Sequence, residues 1–163
     1  MSSDFIHVTQ DQGVQTIHIN RAAKKNALTV AMYRAMTHAL TQAEADDTTQ
    51  AHLILGAPEV FSAGNDIHDF LSGMGDPTED EPPVYAFLRC LATLNKPLVA
   101  GVNGQAIGIG VTLLLHCDLV VLGESARLKT PFIDLGLCPE AASSLLMPLF
   151  YLVSSKIHPC HCK

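Results

Sequence analysis

The sequence predicts an α/β domain built around a layered sheet. Short apolar runs alternate along the chain with segments whose apolar residues recur every three to four positions, the pattern of strands and helices in turn. Runs such as 98–102 and 119–122 are apolar throughout, as strands covered on both faces are. With 163 residues, 48% hydrophobic and 16% charged, the chain is long enough for one domain with a core and too apolar to stay disordered.

Each element has a local cause. Residues 5–10 and 14–19 read as two strands around the turn Asp11-Gln12-Gly13, with Ile17 and Ile19 alternating with His18. Residues 20–26 form a polar, basic loop. Thr29 caps a helix that runs to about Asp46, with Met32, Met36, Leu40 and Ala43 on one face. Residues 52–55 are a short buried strand ending at Gly56, and 66–71 read as helix. The stretch 73–83, rich in Asp, Glu, Gly and Pro, is expected to be a mobile surface loop. Residues 84–94 return to helix, 98–102 form a strand, 111–116 a buried helix and 119–122 a buried strand. A loop over 130–139 carries Asp134 and Gly136 and precedes an apolar helix over 141–150. No internal repeat is visible.

Composition excludes several function classes. A formal charge of −6 argues against general nucleic-acid binding, although Arg21, Lys24 and Lys25 form one local basic cluster. No apolar run has the length of a membrane span, and Met-Ser-Ser-Asp-Phe lacks the basic start and apolar stretch of a secretory signal. Cys90, Cys117 and Cys138 sit singly among apolar neighbours, which reads as buried, reduced thiols in a cytoplasmic compartment.

Two glycine-centred turns carry the chemistry. Phe61-Ser62-Ala63-Gly64-Asn65-Asp66-Ile67 and Gly104-Gln105-Ala106-Ile107-Gly108-Ile109-Gly110 each follow an apolar run and lead into a helical pattern. A strand, a tight turn and a helix start leave backbone N–H groups free to meet an anion. Two such turns converging on one carbonyl oxygen would stabilise an enolate or a tetrahedral intermediate.

These turns, with Asn20-Arg21 and Asn26-Ala27-Leu28 before them, Asn95-Lys96-Pro97-Leu98-Val99-Ala100-Gly101-Val102-Asn103-Gly104 between them and Cys117-Asp118 after them, resemble the crotonase (enoyl-CoA hydratase/isomerase) superfamily over about residues 5–150. The resemblance implies a spiral of ββα and βαβ units, an acyl-CoA thioester substrate, and an oxyanion hole made by the N–H groups of Asn65 and Ile109. Gly64, Gly108 and Gly110 would let the backbone approach the thioester. The nucleotide side would fall to Arg21, Lys24, Lys25 and Ala27, with Ala63, Asp66 and Ile67 on the first turn. The resemblance implies no metal and no separate cofactor, since CoA arrives with the substrate, and a homo-oligomer like the family's trimer provided the missing C-terminal region does not prevent it; charge and hydropathy argue against a nucleic-acid or a membrane partner. Where many relatives have proline after Asn-Arg, this chain has Ala22.

The reaction turns on carboxylates. Hydratases of this family use two glutamates, and the matching positions here are Thr112 and Phe132. The segment 129–144 instead resembles peroxisomal-type Δ3,Δ2-enoyl-CoA isomerases, in which one glutamate follows a Leu-Gly-x-x-Pro-like turn; Glu140 matches it. Such a carboxylate would take a C2 proton and return it at C4, and apolar surroundings would raise its pKa as that shuttle requires. The plainer alternative for Glu140 is an acid favoured by a helix N-terminus. Asp66 reads as a structural turn carboxylate, Asp134 as a loop cap, His68 as a surface histidine and His116 as a core one.

Residues 151–163 depart from the relatives, which continue through further helices that cover the acyl pocket and build the trimer. The departure reads as a truncated or frameshifted end, or as a natural short form, with the C-terminal helical region missing. His158, Cys160, His161 and Cys162 lie too close together for structural zinc spacing. Two further functions therefore stand beside the isomerase: an inactive acyl-CoA binder, and another crotonase reaction such as hydration or thioester hydrolysis.

Overall fold

The structure, a computed structural model, describes residues 4–72 and 80–153. Most of the acidic stretch, 73–79, and the histidine- and cysteine-bearing end, 154–163, lie outside the described residues. Strands β1 (Ile6–Asp11) and β2 (Val14–Ile19) form an antiparallel hairpin whose two-residue turn, Gln12-Gly13, has φ of 46° and 81°. Positive φ at both positions matches the twist of the flanking strands.

Helix α1 (Val30–Glu44) begins where Thr29 accepts a hydrogen bond from the Met32 N–H. It ends where Lys96 Nζ donates to the carbonyls of Ala43 and Asp46. The chain continues through β3 (Ala51–Leu55), β4 (Val60–Ser62), α2 (Ile67–Leu71), α3 (Pro83–Ala92), β5 (Leu98–Val102), β6 (Gln105–Ile107), α4 (Ile109–Thr112), a 3-10 turn (Leu113–His116), β7 (Leu119–Leu122), β8 (Arg127–Lys129) and α5 (Ser143–Val153).

Two sheets result. One has the order β1-β2-β3-β5-β7, parallel from β2 onward; the other, β4-β6-β8, is parallel throughout. Each successive pair β3/β4, β5/β6 and β7/β8 gives one strand to each sheet, so the chain climbs as a spiral of βαβ-like turns. That repeat is geometric, and no sequence repeat accompanies it. The core lies where α1 and α3 cover the larger sheet: Met32, Tyr33, Met36 and Leu40 from α1, and Phe87 and Leu91 from α3, meet Ile17, Ile54, Leu98 and Ala100. Side chains of this size each contribute about 1.5–3 kcal/mol when fully buried.

Four expectations are corrected. The second glycine turn does not follow 98–102 directly; β6 intervenes and moves the chain into the second sheet, a strand too short to show in the sequence. Residues 119–122 are not buried: β7 is an edge strand, with Leu119 at 56% and Val121 at 50% exposure. An apolar run of four does not distinguish a covered strand from an uncovered one. Cys138 is exposed and Cys90 only half-buried, whereas Cys117 is buried and its thiol is pushed up to about 12 by burial, then by Asp118. The last helix starts at Ser143, because Ala141 and Ala142 have φ of 53° and 52°. Among the described residues no helix is long and apolar enough to cross a membrane.

A polar cluster locks α1 to the sheet. Gln15 donates from Nε2 to the Ala39 carbonyl and presents Oε1 to His52 Nδ1; His52 Nε2 meets Glu44 Oε1. Burial disfavours the Glu44 charge, but hydrogen bonds from the Asn95 N–H, His52, the Lys96 N–H and the Asn95 amide outweigh it and hold the pKa at about 2. A carboxyl depressed in the folded state stabilises the fold above its ordinary pKa of about 4.3, and loses that contribution as pH falls toward about 2. Melting curves taken from pH 5 down to pH 2 should therefore show wild type losing more melting temperature than Glu44→Gln.

Candidate active site

The second sheet builds the site. β4 and β6 pair in parallel, Ser62 opposite Ala106, so the turns that follow them leave the same edge side by side. They touch: a Cβ placed on Gly64 would stand 3.1 Å from the Ile107 carbonyl oxygen, and one on Gly110 would stand 2.9 Å from that of Ser62. In the first turn Ser62 Oγ donates to the Asn26 carbonyl and accepts from the Gly64 N–H. In the second, Gly108 has φ 56° and ψ −121°, a conformation closed to L-residues, and its N–H is held by the Lys129 carbonyl. Among the described residues, neither the Asn65 N–H nor the Ile109 N–H donates to a protein acceptor. Ile109 opens α4, where the first N–H groups have no partner within the helix.

The loop from Arg21 to Leu28 is stitched to the first turn. The Asn26 side chain is fully buried and donates to the carbonyls of Ile19, Val60 and Phe61 while accepting from the Arg21 N–H. Leu28 N–H donates to the Gly64 carbonyl, and Ala63 N–H to that of Lys25. Arg21 Nη1 donates to the Ala27 carbonyl and, at 2.7 Å, to Asp66 Oδ2. Asp66 in turn caps α2 through the N–H groups of His68 and Asp69. The Arg21 hydrogen bond leads in pulling the Asp66 carboxyl below its ordinary value, against a cost from burial. Asp66 is thus a structural carboxylate, and Arg21 is engaged in holding the loop. Lys24 and Lys25 stand exposed on the outer side of that loop, and Ile67 is 76% exposed.

Glu140 reaches the site from the loop before α5. Its Oε1 accepts from Thr112 Oγ1 at 3.2 Å, so the carboxylate is directed at α4. Burial raises its pKa above the ordinary carboxylate value, and the Thr112 hydrogen bond offsets part of that. Tyr33 is fully buried, donates to Asn65 Oδ1 and packs against Phe87. Burial, then the Glu140 charge, pushes its phenol well above 10. Tyr33 pairs with Asn65, Thr112 pairs with Glu140, and the Glu140 charge is felt at Tyr33, so the two pairs lie in one neighbourhood. The loop is fixed by His116 Nε2, 3.1 Å from the Ala141 carbonyl, and by the two left-handed alanines.

The family profile described as enoyl-CoA hydratase/isomerase matches residues 9–149. This chain belongs to that family. It is 41% identical over 150 residues to "Enoyl-CoA delta isomerase 2" of Rattus norvegicus, an alignment covering 90% of this chain and 38% of the rat protein. It is 36% identical over 142 residues to "2,3-dehydroadipyl-CoA hydratase" of Escherichia coli strain K12, covering 84% of this chain and 53% of that one. Among solved structures, OdaA of Pseudomonas aeruginosa superposes with a TM-score of 0.85 at 49% identity, over 91% of this chain and 59% of that one. The chain thus spans about half the length of these relatives.

As an enoyl-CoA hydratase/isomerase family member, the chain has an α/β spiral that brings the two glycine turns together and sets Glu140 beside the helix that the second one begins. Two site residues are missing from the sequence-based set. Tyr33 has the same apolar spacing as its core neighbours on α1, and nothing local marks its hydroxyl. Thr112 stands out in the sequence only as a non-carboxylate, and its hydrogen bond to Glu140 is a tertiary contact across 28 residues. A left-handed backbone costs an L-residue about 1–2 kcal/mol, partly offset in glycine by greater chain freedom when unfolded. Ala142→Gly should accordingly raise stability by on the order of 0.5 kcal/mol, read as a melting temperature higher by roughly 1–2 °C.

Proposed function

We propose that the chain carries the active site of an enoyl-CoA Δ3,Δ2-isomerase. The observation behind this reading is a single half-buried carboxylate with a raised pKa, Glu140, near two backbone N–H groups that have no protein partner among the described residues. The thioester carbonyl would accept from the N–H groups of Asn65 and Ile109. Glu140 would remove the C2 proton, the dienolate oxygen would be held by those donors, and the same carboxyl would return the proton at C4. This chemistry needs no metal and no redox cofactor. The nucleotide would lie along the 21–27 loop, where Lys24 and Lys25 are available to phosphates. Hydration is the weaker reading, because Thr112 and Phe132 stand where hydratases carry their two glutamates and neither activates water.

The test is a spectrophotometric assay of the purified chain with a 3-enoyl-CoA, alongside a binding titration with a saturated acyl-CoA. Growth of the conjugated 2-enoyl thioester supports the proposal. Binding without turnover would replace it with an acyl-CoA binder.

A further inference from the structure

Resting on Glu140 as the base, we propose that Thr112 is a positioning residue that registers that base to the oxyanion hole. Thr112 is wholly buried, and its Oγ1 donates to Glu140 Oε1 at 3.2 Å. The bond fixes the rotation of the carboxyl and leaves Oε2 without a protein partner among the described residues, open to the substrate. Thr112 lies three residues after Ile109 in α4, a rise of about 4.5 Å. One rigid turn of helix therefore carries the oxyanion donor at its start and the hydroxyl that grips the base at its end. That turn is closed by the Thr112 N–H donating to the Gly108 carbonyl and anchored by the Gly108 N–H donating to the Lys129 carbonyl. Among the described residues, Thr112 alone hydrogen-bonds the Glu140 side chain. Without Thr112 the carboxylate is free to rotate away from C2 and C4.

The groups facing Glu140 make a pH profile interpretable. Tyr33 from α1 stays neutral across the working range, since its phenol is pushed well above 10. His116, from the 3-10 turn, meets the Ala141 carbonyl rather than the carboxylate. Asp134 and Cys138, on the same loop, are exposed. The described side chains of α5, residues 143–149, carry no titratable group.

The experiment compares wild type, Thr112→Val and Thr112→Ser over a pH series with a 3-enoyl-CoA, after melting curves confirm that each is folded. Thr112→Val should lower kcat roughly tenfold, the worth of a hydrogen bond to a charged group, with KM little changed. The hydroxyl favours the ionised form, so its loss should also move the acid limb to higher pH, and Thr112→Ser should restore both. A Thr112→Val enzyme with wild-type kcat and acid limb overturns the proposal, as does a folded Thr112→Ser that is equally impaired. If wild type itself shows no turnover, the isomerase reading fails separately. The inference is then decided by carbon-13 NMR titration of glutamate-labelled protein, with Glu140→Gln assigning the signal. An unmoved Glu140 titration in Thr112→Val overturns it. Should Thr112→Val fail to fold, Thr112→Ala carries the same comparisons.

Discussion

Glu140→Gln is expected to bind acyl-CoA as wild type does and to lose isomerisation by on the order of a thousandfold or more. General acid–base groups contribute about 10²–10⁴-fold, and the proposed mechanism has one carboxyl both take and return the proton, which places the loss toward the upper end. Glutamine keeps the shape and still accepts from Thr112, so the loop geometry is retained. The proposed oxyanion donors are main-chain groups at Asn65 and Ile109, which the substitution leaves in place. Stability should move the other way. The folded pKa of Glu140 is raised, so above that pKa its charge costs the fold stability. Removing the charge should raise the melting temperature slightly at neutral pH. A variant that is dead, tight-binding and no less stable is the signature of a group retained for chemistry. Steady-state kinetics, a binding titration and a melting curve on one preparation check all three.

Gly104→Ala should leave no folded protein. Gly104 turns the chain from β5 into β6 with φ 63°, and a Cβ there would lie 1.8 Å from the Glu59 carbonyl oxygen and 2.1 Å from its carbon. Both partners are backbone, so no side chain can swing aside. The backbones are also tied, since Gln105 N–H donates to that same Glu59 carbonyl and β4 pairs with β6. Relief requires parting two strands of the smaller sheet, which separates the two glycine turns as well. Domains of this size are stable by about 5–15 kcal/mol, and a substitution costing more than 4–5 kcal/mol removes most of that. Circular dichroism and soluble yield read the outcome. A cooperative melt within a few degrees of wild type would mean that Gly104 does not approach Glu59 as described.

Local signals made most elements legible in the sequence. The Gln12-Gly13 turn, the Thr29 cap and the alternation of Ile17 and Ile19 depend on neighbours within a few residues, and each lies where its chemistry placed it. Strands β4, β6 and β8 are three residues each, too short for a period to emerge, and they hold together only because they pair with one another. The exposure of β7 was equally invisible, because it depends on where the strand falls in the sheet order. At the site, the glycine turns and Glu140 are marked by motif. The partners that tune them are not: Tyr33 and Thr112 come from α1 and α4, and only the spiral brings them to Asn65 and Glu140. The arginine of the Asn-Arg pair is a different lesson. Its charge marks it as a candidate phosphate contact, and its Nη1 also ties loop to turn through Asp66 and the Ala27 carbonyl, partners that no local pattern shows.

The central claim is that one carboxylate moves a proton from C2 to C4 and adds nothing to the substrate. Product analysis by NMR and mass spectrometry, after wild type has acted on a 3-enoyl-CoA in deuterated water, tests it most directly. The account predicts a 2-enoyl-CoA whose hydrogens differ from the substrate only at C2 and C4, with deuterium incorporated at those carbons alone, and Glu140→Gln forming it on the order of a thousandfold more slowly. A 3-hydroxyacyl-CoA, free CoA, or equal product from Glu140→Gln would contradict it.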